Sequence, residues 1–413
     1  MEKKKNTPKL RFPEFTGEWE EKKLGEIAEK VNSGKTPLGG ESVYVDKGIL
    51  FIRSQNVFDN KLSLENATFI TEETNSTMEN SIVKSKDILL NITGASLGRS
   101  CVVPENFIVG NVNQHVCIIR LNKDNEPYFF QPIFASEKGQ NLFKSLQVGG
   151  GREGLNFQSI RGITLYQPPL SEQTKIATFL TAVDEKLTQL KKKKTLLEQY
   201  KKGVMQKLFS QEFRFKDDNN QDFPDWQEKT LGEISNRVIT KNKENNLNVL
   251  TISAQNGLVS QLEFFNKSVS AKDVTGYYLL DRNDFAYNKS YSNGYPMGAI
   301  KRLTRYEKGV VSTLYICFRN KTCFDNSFAE QYFETGLQNN ELEKVAQEGA
   351  RNHGLLNIGV SDFFKIELTI PSLPEQQKIA TFLSAIDEKI NQCSAQIEKM
   401  EAWKKGLLQQ MFC

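Results

Sequence analysis

The sequence predicts an α+β fold made of two pseudo-repeated halves, each a mixed α/β domain followed by one long helix, with the two helices pairing with each other. Three observations carry this. The stretch EQTKIATFLTAVDEK from Glu172 recurs as EQQKIATFLSAIDEK from Glu375, and the offset of 203 residues holds without insertion to Phe209 and Phe412. A repeat of that length divides the chain into two similar halves. Within each copy, apolar residues follow gaps of four and three: Ile176, Leu180, Val183, Leu187, Leu190, Leu197, Val204 and Leu208, then Ile379, Leu383, Ile386, Ile390, Cys393, Ile397, Met400, Leu407 and Met411. That alternation is the seam of a coiled coil, which needs a second seam to bury it; the other copy is the nearest one, the alternative being that each helix pairs with another molecule or lies on its own domain. The segments ahead of each copy alternate short apolar runs with Gly, Asn and Ser, the pattern of short strands joined by turns.

Taken in order, residues 1 to 20 form a polar, lysine-rich tail and an aromatic lead-in containing Phe12, Phe15 and Trp19. Residues 21–168 make the first domain, which opens on Leu24-Gly25-Glu26-Ile27 and carries strand-like runs at Ile49–Ile52, Asp87–Thr93 and Val116–Leu121. A more helical piece follows from Pro127 to Leu146, and then a glycine turn, Gly149 to Gly154. The first long helix occupies 169–209; prolines stand ahead of it, and Glu172 in its first turn is favoured by the helix dipole. At 1.5 Å per residue, 38 residues would make a rod of roughly 57 Å. Residues 210–225 are polar and form a linker.

The second half repeats the plan. Residues 226–370 begin with Trp226 and Leu231-Gly232-Glu233-Ile234, carry runs at Val249–Ser253 and Val310–Phe318, a helical piece from Asn326 to Gln347, and a turn from Gly349 to Gly354. Residues 371–413 hold the second helix. The helices match at about half their positions, whereas the domains share little sequence. A scaffold kept while its cargo varies points to two different recognition surfaces on one frame.

Composition narrows the chemistry. With 413 residues and 38% hydrophobic content the chain can bury more than one core. No apolar run approaches the roughly 20 residues of a membrane span, and the basic start lacks a following apolar segment, so a cytoplasmic location is expected. Six cysteines without metal-site spacing read as reduced structural thiols. Only His115 and His353 are present, too few for a histidine-based centre in each half. Gly34-Lys35-Thr36 resembles the end of a phosphate loop, but Glu29 stands where such a loop needs glycine. Asn91-Ile92-Thr93-Gly94 lacks the aromatic, proline-rich setting of an amino-methyltransferase pocket, and no carboxylate pair repeats. The sequence therefore reads as binding without catalysis.

Candidate binding groups are the polar and basic side chains flanking the turns. In the first domain these are Arg53, Gln55, Asn56, Arg99, Asn113, Gln114 and Arg152. In the second they are Gln255, Asn256, Asn288, Lys289, Tyr291, Ser292, Asn293, Tyr295, Arg302, Arg351 and Asn352. Arg suits guanine, Asn and Gln suit adenine, and Lys and hydroxyls suit phosphates, although Asn and Ser beside Gly commonly just shape turns. Residues 172–209 hold nine Lys against four acids, while 375–412 hold five of each. Such a run serves phosphates or a solvated face. Lys194, Lys201 and Lys404 fall on seam positions, where they should thin the seam or fix its register.

The segments PPLSEQTKIATFL and PSLPEQQKIATFL, the Trp and Leu-Gly-Glu-Ile lead-ins, SGKTP at Ser33 to Pro37, Asp87 to Gly98, and Asn113-Gln114-His115 before a strand are similar to those of specificity subunits of type I restriction-modification enzymes. The second domain matches the last of these motifs poorly. The resemblance spans essentially the whole chain. It implies two target recognition domains, each reading half of a split asymmetric DNA site, and helices paired as an antiparallel coiled coil that sets the unspecified gap and docks the partners. The expected partners are double-stranded DNA, two modification (methyltransferase) subunits and restriction (translocase/nuclease) subunits. No cofactor is expected in this chain; S-adenosylmethionine, ATP and Mg would sit on the partners. A coiled-coil scaffold whose domains bind proteins or glycans is the competing reading.

Overall fold

The computed structural model describes residues 6–37, 39–147, 154–253, 256–265, 273–346 and 356–412. The chain forms two compact units, one of residues 1–192 with 395–413 and one of residues 193–394. Both long helices are continuous, Leu170–Phe209 over 40 residues and Leu373–Gln410 over 38, and each contributes a segment to both units.

In the first unit, strands Ala28–Ser33, Val116–Leu121, Ile88–Asn91 and Ser100–Val102 make an antiparallel sheet in that spatial order. A second sheet runs Thr68–Ile70, Ile49–Ile52, Gly110–Val112 and Ile82–Val83, with one parallel pair, Ile49–Ile52 against Gly110–Val112. Glu20–Lys23 pairs with Thr164–Gln167, closing the domain's beginning onto its end. The helical piece is two helices, Pro127–Ala135 and Glu137–Ser145, because Ser136 turns extended and caps the second by accepting from the Gly139 N–H. Their faces bury Phe129, Phe130, Phe134 and Phe143 in a core shared with Trp19, Ile176, Leu180, Val183, Leu407, Met411 and Phe412. Here the two helical segments run antiparallel: Asp184 meets Lys404 and Lys191 meets Glu401, so partner numbers fall as the chain rises.

The second unit repeats this order. Strands Ser235–Arg237, Ile316–Asn320, Phe285–Asn288 and Ala299–Arg302 form the antiparallel sheet. Hairpin Leu250–Ser253 with Gly257–Ser260 and the pair Tyr278–Asp281 with Lys308–Val311 flank it. Gln227–Thr230 with Glu367–Ile370 closes the domain. Helices Asn326–Thr335 and Asn339–Val345 pack Phe328, Tyr332, Phe333 and Leu342 with Leu208, Phe209, Ile379 and Leu383.

The seam spacing holds in the burial pattern. Every apolar seam position is buried or half-buried, and two of the three seam lysines bond across to the other helix, whereas Lys194 pairs with Glu198 on its own helix. Lys201 reaches Asp387 at 2.7 Å in the second unit, and Lys404 reaches Asp184 in the first. Among the described residues, no helix is long and apolar enough to cross a membrane.

Candidate nucleic-acid interface

Each domain is fastened to its helix by the same side chains. Glu172 is fully buried and accepts from Arg11 Nε and Nη2, both at 2.7 Å. Glu375 accepts from Arg214 at 3.1 and 2.8 Å. The neighbouring Gln173 accepts from the Glu126 N–H and donates to the Pro168 carbonyl; Gln376 accepts from the Asp325 N–H and donates to the Pro371 carbonyl. Glu126 and Asp325 are the N-caps of the first helix after each sheet. Residues 210–225, read as a linker, supply Arg214 and Phe215, the counterparts of Arg11 and Phe12.

The central strand of each sheet is anchored at its start in a repeated way. Asp87, which accepts from the Lys84 N–H, holds Arg120 at 2.7 Å, and Asp284, which accepts from the Asp281 N–H, holds Arg319 at 2.6 Å. Both guanidiniums are pushed above their ordinary pKa, chiefly by these carboxylate bonds. The opposite ends of the strands, at Asn91 and Asn288, release the variable loops.

At that end of the first domain several segments converge. Asn113 donates its N–H to the Ile52 carbonyl and accepts from the Gly34 N–H. A Cβ on Gly34 would fall 1.6 Å from the Val112 carbonyl oxygen, so only glycine allows this approach. Asn91 donates to the Ser54 carbonyl and to Ser96, drawing the 53–56 turn onto the 92–99 loop, and Thr93 bridges to Gly154. The predicted residues divide here into two kinds. Asn56 and Asn113 are buried: Asn56 Oδ1 accepts from the Arg53 N–H, and Asn113 Oδ1 accepts from the His115 N–H. Gln55, Arg99 and Gln114 are exposed; Arg99 lies over the Phe58 ring, and half-buried Arg53 lies over Tyr44. Thr36 and His115, which sequence reasoning left out of the binding set, join Gln114 in the same cluster.

In the second domain the loop corresponding to 92–97 is residues 289–297, three residues longer between matching Asn and Gly: Asn91 to Gly98 becomes Asn288 to Gly298. Both loops are tied back alike, Leu155 N–H to the Ile92 carbonyl and Leu356 N–H to the Lys289 carbonyl. This loop carries Lys289, Tyr291, Ser292, Asn293 and Tyr295, with Tyr291 65% exposed. Tyr295 is turned inward, donating to Glu334 at 2.6 Å beside Lys301, and burial raises its phenol pKa. The Arg302 guanidinium is engaged by Asn283, Ser327 and Glu330. Exposed Asn256 sits in the hairpin turn between Leu250–Ser253 and Gly257–Ser260. Ser312 takes the place of Asn113, its hydroxyl accepting from the Leu314 N–H, so Thr313 and Leu314 stand where Gln114 and His115 stand in the first domain. Arg152, Gln255, Arg351 and Asn352 lie outside the described residues. Among the described residues no group of His, Cys, Asp and Glu could hold a metal ion.

Comparison with known proteins follows this two-part plan. The chain is 25% identical over 216 residues to a protein described as the type I restriction enzyme MjaX specificity subunit of Methanocaldococcus jannaschii, a match covering 50% of this chain. The match spans about half the length of that curated relative, 49%. Among solved structures, the type I restriction-modification system S subunit from M. genitalium superposes with a TM-score of 0.60 at 16% identity, covering 98% of this chain and 99% of that one. A chain from a structure of complex assembly and conformational transition of the type I R-M system superposes with a TM-score of 0.52 at 15% identity, covering 95% of this chain and 97% of that one; these likenesses concern the fold. The family description "Type I restriction modification DNA specificity domain" matches twice, at residues 16–199 and 224–401, and with both halves so matched the chain belongs to the family of type I restriction-modification specificity subunits, which are not themselves enzymes.

Proposed function

We propose that the protein is the DNA-reading component of a type I restriction-modification complex, in which each domain reads one half of a bipartite, asymmetric site. The observation that carries this reading is the contrast between constant and variable parts. The fastenings Arg11–Glu172 and Arg214–Glu375 and the strand anchors at Asp87 and Asp284 repeat, while the loops at the far strand ends differ in length and chemistry. Two different loop sets on one repeated frame suit two different half-sites. The paired helices would set the unspecified gap and dock two methyltransferase subunits. S-adenosylmethionine, ATP and Mg²⁺ would be bound by the methyltransferase and restriction partners. A target adenine must leave the stack to be methylated, a distortion assigned to the methyltransferase.

The test is selection of duplexes from a random pool by the chain co-purified with a methyltransferase subunit, at physiological salt. The expected result is a two-part motif with a fixed gap and an affinity that falls steeply with added salt. A complex that forms but enriches no motif would overturn the proposal in favour of a protein- or glycan-binding scaffold.

A further inference from the structure

At the loop end of the first domain, four polar side chains from three chain segments form one line. Thr36, in the turn after Ala28–Ser33, donates its hydroxyl to Gln114 Oε1. Gln114 Nε2 stands 3.1 Å from His115 Nε2, and His115 Nδ1 stands 2.6 Å from Thr93 Oγ1. The line has a sense: with His115 Nε2 accepting from the amide, the ring proton is on Nδ1 and is donated to Thr93. His115 and Thr93 are half-buried, whereas Gln114 is exposed.

A primary amide has two N–H donors and two acceptor lone pairs. Thr36 uses one lone pair of Gln114 and His115 one hydrogen. Among the described residues, one donor and one acceptor are left on an exposed side chain whose amide is held from both ends. We propose that Gln114 reads an adenine in the major groove, its free Oε1 lone pair accepting from N6 and its free Nε2 hydrogen going to N7. This rests on the DNA-reading function above. The adenine edge alone pairs an acceptor with an adjacent donor on one base; guanine offers two acceptors, cytosine a donor, and thymine an acceptor and a methyl group. Holding the amide in advance lowers the ordering cost of the contact, and a wrong base leaves both groups unmatched. Thr36, His115 and Thr93 are positioning residues. Because Thr313 and 70%-exposed Leu314 replace Gln114 and His115 in the second domain, the device belongs to one half-site only.

The test uses the complex with its methyltransferase subunit on the selected duplex, with each adenine replaced in turn by 7-deazaadenine, which lacks the N7 acceptor. The expected result is one adenine, in one half-site, at which the replacement weakens binding about 10-fold. Gln114→Ala should weaken binding to the natural duplex by a similar factor, abolish the 7-deaza effect there, and relax base preference at that position alone. Gln114→Glu, an acceptor only, should move that preference from adenine towards cytosine. Thr36→Val and His115→Phe should reduce discrimination at the same position while keeping the salt slope. Retention of every adenine preference by both Gln114 variants would overturn the inference with the DNA-reading function intact. A wild-type complex that selects no motif would overturn both.

Discussion

Lys201 Nζ lies 2.7 Å from Asp387 Oδ1, and the same pair recurs with the repeats exchanged as Lys404 with Asp184. Both lysines occupy seam positions, so a slip of one heptad would set an ammonium against apolar side chains and strand an aspartate. Gln331 also donates to Asp387, at 2.8 Å. Lys201→Met should cost about 2 kcal/mol of stability, in line with losing a charged hydrogen bond at a half-buried site. The exchange Lys201→Asp with Asp387→Lys should recover part of it, as a double-mutant cycle in urea would show. Additive losses would mean the pair does not couple.

The Arg214–Glu375 fastening should be the costlier one to break. Glu375 is fully buried, and removing its guanidinium leaves an unpaired buried carboxylate. Arg214→Ala should destabilise by about 3 kcal/mol, and Arg11→Ala should do the same through Glu172. Replacing acid and base together, as Arg214→Leu with Glu375→Leu, should be milder than either single change; thermal unfolding of the four proteins checks this.

Gly298 has φ +77°, and a Cβ there would lie 2.2 Å from the Asn288 carbonyl oxygen. Gly298→Ala should cost about 3 kcal/mol through strain at a left-handed position and should displace the 289–297 loop. Selection with this variant should blur one half-site and leave the other unchanged.

Burial pushes the thiols of Cys101, Cys117 and Cys317 up to about 12. In a Cys413→Ser background, iodoacetamide at pH 8 should label Cys323, the exposed one, and spare these three until the protein unfolds. The sign of the stability effect follows. An unfolded thiol ionises near its ordinary value of 9.0 and the folded one near 12, so between those values the unfolded chain holds fewer protons. These thiols therefore lower stability as pH rises above about 9, which urea midpoints in alkaline buffers would record.

Inserting seven residues after Leu190 and after its counterpart Cys393 adds about 10 Å of helix to each copy. The gap in the selected motif should lengthen by roughly three base pairs, at 3.4 Å each, with both half-sites unchanged. An unaltered gap would rule out the helices as the ruler.

Much of the scaffold was legible because its signals are periodic or duplicated. Seam residues such as Ile176 and Leu383 announce their burial by spacing, and the repeat supplies a second reading of each. What escaped was the use of polar side chains whose partners are distant in sequence. Glu172 looks like a favourable first-turn acid, yet its buried oxygens answer Arg11, 161 residues away. Asn56 and Asn113 look like base readers but hold turns from inside, and Arg302 is engaged by Asn283 and Glu330. Composition cannot separate an asparagine that faces solvent from one that faces its own backbone. His115 and Thr36 stand in motifs legible in the sequence, but nothing in the sequence shows that they touch Gln114, and only that contact gives them a part.

The two glutamines beside the buried glutamates, Gln173 and Gln376, grip each domain by a main-chain N–H, that of Glu126 and of Asp325. Every residue except proline supplies that group. This one contact is indifferent to which amino acid supplies it, so a recombined domain of the same topology would keep it whatever its sequence, and only the apolar residues that pack on the helix would have to match.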